Sequence, residues 1–409
     1  MRILITNWTR RRVGGTETYL GRLMSLIAER GHEIAFGYEM DAPADRVPIV
    51  VPTSAAVFVL QDSEEALQRI QRWNPDVIYA HGMLDTALEE RLLDLAPSVF
   101  FAHAYYGTCI SGEKTHKFPV IQPCERLFGP ACLALFYPRR CGGLNPVTMM
   151  REYARQRDRL ALLRRYDAVL THSEHMRREF LRHGAGGGRV LSYSYTVSGG
   201  DRPAVTAPPR GCRPAAMLWH LMFVGRMDRL KGGRHLLDAL PQVHAALGYP
   251  LRLTFAGDGP ARAEWERHAA RITRDMPAVR VEFAGWLQHS QLAALLDTAD
   301  LVVMPSLWPE PFGLTGPEAN RRGIPVVAFA TGGIPEWLID GVNGCLAPGN
   351  PPTVDGLADA LVRCLRSLSE SDRLREGAMS MGHSPADDVH VEALLDILAD
   401  VSARRATTT

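Results

Sequence analysis

Between Leu301 and Leu346 the chain reads LVVMPSLWPEPFGLTGPEANRRGIPVVAFATGGIPEWLIDGVNGCL. The apolar run from Leu301 to Met304 has the length and composition of a buried strand. It opens into a loop holding Glu310, a Gly/Pro-rich turn follows, and Glu318 opens a helix. A second strand, Ile324 to Phe329, breaks at Thr331-Gly332-Gly333, and Glu336 starts the next helix. Two consecutive strand–loop–helix units restrict the fold sharply, because parallel strands joined by helices need both sheet faces covered. They also set three carboxylates and several free backbone amides at the carboxyl ends of parallel strands, where open α/β sheets bind ligands.

The same alternation runs through the chain. Arg2 to Thr6 reads as a strand, followed by a loop through Gly14-Gly15 and a helix from Thr16 to Arg30. Glu33 to Tyr38, Val77 to Ala80, Val99 to Ala102 and Ala168 to Thr171 read as further strands. Ser, Gly, Pro and Arg cluster between Ser192 and Pro214, which places a linker there. The alternation then restarts: strands at Leu218 to Val224, Leu251 to Ala256 and Val281 to Phe283, with helices at Gly232 to Leu247, Ala261 to Thr273 and Gln291 to Asp297. The tail from Asp355 onward reads as helical, with a last helix around Val389 to Val401. A length of 409 residues also favours two cores over one. The expectation is two Rossmann-like, doubly wound parallel-sheet α/β domains facing a cleft. They span 1–200, with an insert at about 105–145, and 213–385, and a C-terminal helix at 386–409 packs back on the first.

A formal net charge of +1 argues against a dedicated nucleic-acid binder. No apolar run approaches the roughly 20 residues that span a bilayer. Met1-Arg2-Ile3-Leu4-Ile5 enters a strand rather than a signal peptide. A cytoplasmic enzyme is expected.

Gly225-Arg226 and Lys231 follow one strand and precede a helix near Gly232-Gly233. Two cations beside a helix N-terminus suit a diphosphate; taken alone they would be ordinary solvated side chains. Glu310 and Glu318 add acceptors suited to sugar hydroxyls. The bland reading of Glu318 is helix-dipole stabilisation, and of Glu310 a solvated loop acid. A basic loop and an acidic loop in one domain favour a ligand with phosphate and polyol parts, and a nucleotide sugar fits.

These residues bring the chain to a resemblance. The ordered blocks VGRMDRLKGG, FAGDGP, FAGW, EPFGLTGPEA, GIPVVAFATGGIPE and GVNGCL resemble the retaining, metal-independent nucleotide-sugar glycosyltransferases of family 4, with the GT-B fold. The likeness is strongest from Phe223 to Pro348 and covers nearly all of the chain more loosely. It implies that Arg226 and Lys231 neutralise the donor diphosphate and that Glu318 holds the ribose hydroxyls. It implies that Glu310 contacts the transferred sugar, with amides near Phe312, Gly313, Leu314 and Thr315 alongside. Gly14 and Gly15 would let backbone approach the phosphates. His103 matches the family's active-site histidine; a structural histidine satisfied by backbone is the competing reading. Gly316-Pro317 departs from the usual small apolar pair before the second acid, and Ala319-Asn320-Arg321-Arg322 is more polar than usual.

The resemblance implies a hexosyltransferase that needs no metal or other cofactor. Arg226, Lys231 and helix amides would stabilise the leaving diphosphate. The acceptor would attack from the leaving-group face, and a phosphate oxygen would take its proton. A UDP-sugar is the default donor, with GDP-sugar the runner-up, and the acceptor is a glycan, lipid carrier or small natural product. Glu318→Ala or Lys231→Ala should cut turnover without unfolding the chain. An epimerase or hydrolase of the same fold, and a non-catalytic nucleotide-sugar binder, are the alternatives. A phosphorylase lacks its pyridoxal lysine context, and NWTRRRVGGTE lacks the dinucleotide fingerprint.

Cys109, Cys124, Cys132 and Cys141 fall in one insert after His103. Their spacing is wider than the usual zinc pairs. A structural metal site, disulfides and unlinked thiols all stay open, whereas Cys212, Cys345 and Cys364 read as structural thiols. Lys114, His116, Lys117, Arg126, Arg139 and Arg140 in the same insert suggest a part in shaping acceptor binding. Arg10-Arg11-Arg12 reads either as a solvated loop or as a contact for an anionic acceptor or for the inner membrane face. Abundant Arg and Ala hint at a high-GC bacterium.

Overall fold

A computed structural model of the chain describes residues 1–12, 15–43, 47–61, 63–186, 190–192, 218–381 and 387–406. Gly14, Cys212 and residues 193–214 of the expected linker lie outside the described residues. The chain divides into two compact units. One comprises Met1–Lys114, Glu125–Gly199 and Pro385–Thr409; the other comprises Thr115–Cys124 and Gly200–Ser384.

In the first unit the strands are β1 (Arg2–Thr9), β2 (Glu33–Met40), β3 (Ala56–Val59), β4 (Val77–Ala80), β5 (Ser98–Ala102), β8 (Ala168–Thr171) and β9 (Val190–Ser192). They pair in parallel in the order β3-β2-β1-β4-β5-β8-β9. The short strands β6 (Thr115–His116) and β7 (Gln122–Pro123) form an antiparallel hairpin grouped with the second unit, where Ile121 packs on the core. The second unit's sheet contains β10 (Trp219–Val224), β11 (Leu251–Ala256), β12 (Val279–Gly285), β13 (Leu301–Met304), β14 (Val326–Phe329) and β15 (Gly344–Ala347). Its order is β12-β11-β10-β13-β14-β15, again parallel throughout. Strands β4, β5, β8, β13 and β14 are buried along their whole length, which is why they read as unbroken apolar runs. Both sheets are doubly wound. The strand order reverses between β1 and β4 in one unit and between β10 and β13 in the other, and ligands collect at such points.

Helix periodicity supplies the covering layers. Leu236, Leu237, Leu240 and Val243 on Gly233–Leu247 and Leu357, Leu361, Cys364, Leu365 and Leu368 on Val354–Glu370 recur at helical spacing. They close over Trp219, Phe223, Phe255 and Trp265. The C-terminal helix Asp387–Ala406 packs in the first unit against β4, β5 and the helix Gly15–Glu29, where the Tyr19 hydroxyl meets His390 Nε2 at 3.0 Å. Among the described residues no helix is long and apolar enough to cross a membrane.

Several local expectations need correction. Glu336 ends a 3₁₀ turn, Ile334–Glu336, rather than opening an α-helix. The helix carrying Glu318 stops at Asn320, because Asn320 is a core residue. Its side-chain amide donates to the carbonyls of Ile324 and Asn343 at 3.0 and 3.3 Å and accepts from Asn343 Nδ2 at 2.7 Å. The polar run after Glu318 is thus an internal hydrogen-bonded joint, with Arg322 paired outward to Asp297 at 2.6 Å. Gly316 has a steric reason as well, since a Cβ there would lie 1.8 Å from the Trp337 ring.

Lys114 is the largest revision within the insert. It is 3% exposed, and its ammonium donates to the carbonyl of Arg126 at 2.6 Å and pairs with the buried carboxylate of Glu179. It therefore anchors the insert to the helix Glu174–Arg182 and is not open to an acceptor. A second tie runs from the Phe128 amide to His183 Nε2 at 2.9 Å. Lys114→Met should lower unfolding free energy by about 3 kcal/mol in urea melts, because it leaves a buried carboxylate without its cation. Pairing it with Glu179→Leu should recover most of that loss.

Among the described residues no group of three or more His, Cys, Asp or Glu is placed to hold a metal ion. Among the same residues none of the insert cysteines Cys109, Cys124, Cys132 and Cys141 is joined in a disulfide, and Cys109 Sγ accepts from the Lys114 amide at 3.3 Å. Cys345 and Cys364 are buried free thiols.

Candidate active site

Three loops meet at the carboxyl ends of β10, β13 and β14. After β10 the chain passes Gly225 and Arg226 and enters the 3₁₀ turn Arg229–Lys231, whose first amides are capped by Asp228 Oδ1 at 3.0 and 3.1 Å. Gly232 then turns left-handed at φ 72°. Only glycine fits, since a Cβ there would sit 1.7 Å from the Pro305 carbonyl oxygen, and one on Gly233 would sit 2.3 Å from the Trp265 ring. The glycine pair therefore lets the Lys231 turn nest against the exit of β13, and the Leu307 amide donates to the Leu230 carbonyl at 2.7 Å.

That approach joins two residues far apart in sequence. Lys231 Nζ donates to Glu310 Oε1 at 2.6 Å. The Ser306 hydroxyl donates to the same oxygen at 2.5 Å. Glu310 is 5% exposed, and Lys231 also lies 5.2 Å from the Trp308 ring centroid. The third loop locks the second: the Gly333 amide donates to the Glu310 carbonyl at 2.8 Å, and the Thr331 hydroxyl donates to the Ser306 carbonyl at 3.3 Å. Ser306, Trp308 and Thr331 were not singled out from the sequence. Their signal was only their position beside Glu310 and after β14.

Of the other expected donor residues, Arg226 has a side chain 72% exposed, 3.9 Å from Asp228. Phe312 accepts from Trp337 Nε1 at 2.7 Å through its carbonyl, and Gly313 is left-handed at φ 85°. Leu314 caps the short helix Thr315–Asn320, and Glu318 is half-buried in its first turn. Among the described residues no side chain caps the helix Gly233–Leu247, and first-turn amides left without such a cap are suited to an anion. Gly232→Ala should cost roughly 2 kcal/mol and abolish any thermal shift on adding nucleoside diphosphate, because the Lys231 turn would be displaced.

In the first unit Gly15 opens the helix Gly15–Glu29 and is exposed. His103 directly follows β5, and it is not alone. His81 directly follows β4 and His172 directly follows β8, so three neighbouring parallel strands each end in a histidine. His81 Nδ1 and His103 Nε2 lie 2.8 Å apart, with rings stacked at 5.1 Å. His172 lies 5.6 Å from His103, and Phe101 contacts all three rings. Burial disfavours the imidazolium, so His81 and His172 are lowered to about 3 and His103 falls well below the usual histidine value. The row is neutral at physiological pH. The triplets Tyr79-Ala80-His81, Phe101-Ala102-His103 and Leu170-Thr171-His172 carry this signal in the sequence.

Known proteins resemble the chain in sequence and in fold. Residues 13–190 match the family model described as Glycosyltransferase Family 4, and residues 219–367 match that described as Glycosyl transferases group 1. The chain is 27% identical to a glycogen synthase of Mycobacterium tuberculosis over 397 residues, covering 92% of this chain and 89% of the relative. It is 31% identical to a D-inositol 3-phosphate glycosyltransferase of Mycolicibacterium gilvum over 385 residues, covering 91% and 80%. In fold it is similar to HepE of Anabaena, solved in complex with UDP and glucose (TM-score 0.66, 19% identity, 98% of this chain and 100% of that one). It is also similar to WaaG, a glycosyltransferase involved in lipopolysaccharide biosynthesis (TM-score 0.64, 17% identity, 97% and 99%). The match to the Mycolicibacterium enzyme over most of both chains, on two doubly wound α/β units, makes this chain a member of the family 4 (group 1) glycosyltransferases with the GT-B fold.

Proposed function

We propose that the chain moves a hexose from a nucleoside-diphosphate sugar to a hydroxyl acceptor, with retention at the anomeric carbon and without a metal ion. The observation that carries this is the Lys231–Glu310 contact at the point where the second sheet reverses. A cation and a buried acid held 2.6 Å apart on neighbouring loops offer one ligand a donor for its diphosphate and an acceptor for its sugar hydroxyl.

As the bond from the anomeric carbon to the diphosphate breaks, negative charge grows on the phosphate oxygens. Lys231, Arg226 and the uncapped helix amides stabilise it in place of a metal. Among the described residues both side-chain contacts of Glu310 fall on Oε1, which leaves Oε2 to accept from a sugar hydroxyl. Glu318 accepts from the ribose hydroxyls, and the Gly313, Leu314 and Thr315 backbone lies alongside. His103 faces the transferred sugar. The acceptor oxygen attacks from the side the diphosphate leaves, and its proton passes to a phosphate oxygen, so no protein nucleophile is needed. UDP is the preferred base: HepE was solved with UDP and glucose, which makes UDP-glucose the first donor to try.

A thermal-shift panel of UDP- and GDP-sugars, followed by acceptor-dependent release of nucleoside diphosphate in EDTA, tests this reading. Stabilisation by one donor and full activity with chelator are expected. A requirement for added divalent metal would refute the charge argument, and product of inverted anomeric configuration by NMR would refute retention. Release that never depends on an acceptor would favour a hydrolase.

A further inference from the structure

Arginine and aliphatic side chains share one face of the insert in the first unit. From Arg126 to Arg151 the chain carries four arginines and no aspartate or glutamate, although over its whole length 46 basic residues are balanced by 45 acids. The same stretch exposes large apolar side chains: Leu144 is 84% exposed, Val147 74% and Met150 52%. They recur every third residue at the start of the helix Pro146–Leu163, a spacing that keeps them on one side, and Arg151 lies one turn beyond Val147. Single exposed aliphatics are ordinary, whereas three in register within a wholly cationic segment mark a contact surface. The turn ahead of the helix holds this face outward. The Cys141 amide donates to the Phe136 carbonyl at 2.9 Å and the Arg140 amide to the Tyr137 carbonyl at 3.0 Å. Gly142 lies so close to the buried Phe136 ring that a Cβ would come within 2.4 Å of it.

The chemistry of the helix start tells what kind of surface this face meets. A helix N-terminus normally brings four unsatisfied N–H groups, which are costly to take out of water. Here Pro146 has no N–H, the Val147 and Thr148 amides donate to Asn145 Oδ1 at 2.9 and 3.3 Å, and the Met149 amide donates to the Asn145 carbonyl at 3.1 Å. The first turn can therefore leave water without stranding a donor, and the Asn145 side chain is already engaged. We propose that this face, Leu144, Val147 and Met150 with Arg139, Arg140 and Arg151, docks on an anionic lipid surface. The aliphatic side chains enter the boundary between headgroups and acyl chains, and the guanidinium groups meet lipid phosphates. A protein partner would be matched by directional polar groups of both signs, and this segment carries no acid. Docking goes beyond the transfer reaction: it brings the unit that carries His103 to a bilayer.

Co-sedimentation of the full chain with lipid vesicles reads this without donor or acceptor, so its outcome is separate from that of the transfer reading. Vesicles of phosphatidylglycerol and phosphatidylcholine in equal parts are compared with vesicles of phosphatidylcholine alone. Wild type should partition onto the anionic vesicles at least about tenfold more strongly, and the difference should shrink as salt is added. Leu144→Ser, Val147→Ser and Met150→Ser combined should weaken that partitioning about 30-fold. Arg139→Gln, Arg140→Gln and Arg151→Gln combined should remove the preference for anionic lipid. Urea melts of the serine variant should match wild type, because the three side chains are exposed. Hydrogen exchange over 141–150 should slow on anionic vesicles, while that of the helix Val354–Glu370 stays unchanged. Equal partitioning of wild type onto the two vesicles, or wild-type partitioning of the serine variant, would overturn the proposal. So would a dimer in analytical ultracentrifugation that the serine variant dissolves, since a second copy would then cover this face.

Discussion

Replacing Lys231 by methionine should lower kcat/KM for the nucleotide sugar on the order of 10³-fold, about 4 kcal/mol of transition-state stabilisation. The size follows from where the ammonium sits. It is held by a carboxylate, a cation–π contact and the glycine-built turn, so it costs little reorganisation to meet the charge that grows on the diphosphate. Most of the loss should appear in kcat, since that charge is larger in the transition state than in the bound donor. The contact also alters the expectation from sequence that Lys231→Ala leaves the fold untouched. Glu310 is buried, and without Lys231 it keeps only the Ser306 hydroxyl at that oxygen. A stability loss of about 2 kcal/mol should accompany the kinetic one, whereas Glu318→Ala, on a half-buried helix turn, should show the kinetic loss alone. Lys231→Met and Glu310→Gln should be far from additive, because each disables the same pair. Wild-type kcat/KM in Lys231→Met, measured with the donor that the panel selects, would remove the site from these loops.

The doubly wound fold was legible because parallel strands buried on both faces must be apolar throughout, and runs such as Leu301–Met304 and Val326–Phe329 cannot be hidden in a sequence. Lys231 and Glu310 were each visible for their residue type and their place beside a turn. Their bond was not, because it depends on which strand lies beside β10. The sheet reverses there, so β10 lies beside β13 and not only beside its sequence neighbour. Lys114 was misread for a related reason. A lysine in a loop is solvated unless a distant acid is folded over it, and Glu179 arrives from a helix beyond the insert. His81 and His172 were overlooked although their strands were identified correctly. Each follows its strand as His103 follows β5, and only the strand order shows that the three stand side by side. Cysteine spacing alone could not decide between thiol, disulfide and metal, since the geometry of the insert is set by the Lys114 and His183 anchors rather than by the cysteines.

The histidine row should make the first unit acid-labile, losing at least about 2 kcal/mol of stability between pH 7 and pH 5. In the unfolded chain each histidine takes up a proton near its ordinary value of 6.5, whereas in the fold His81 and His172 stay neutral down to about 3 and His103 is likewise lowered. The unfolded state therefore binds more protons below pH 6.5, and stability must fall as the pH falls. His81 and His172 contribute about 2 kcal/mol each by pH 5, and His103 adds to the loss in the same direction. One buried acid opposes them. Glu89 accepts from the Tyr166 and Tyr106 hydroxyls at 2.6 and 3.2 Å, and burial raises it to about 7 from the ordinary 4.5. Its folded form keeps a proton that the unfolded chain has lost, so acidification from pH 7 to pH 5 returns about 2 kcal/mol. His175 and His183, lowered by burial in the same unit, add to the loss, while Glu39, raised by burial, offsets part of it. Urea melts followed by hydrogen exchange in β4, β5 and β8 would isolate this unit from the other. Removing one titrating ring by His172→Phe should flatten the slope below pH 6 by about 1.4 kcal/mol per pH unit, the equivalent of a single proton. A stability that is level from pH 7 to pH 5, or a slope indifferent to His172→Phe, would mean that the row is charged and solvated in the fold.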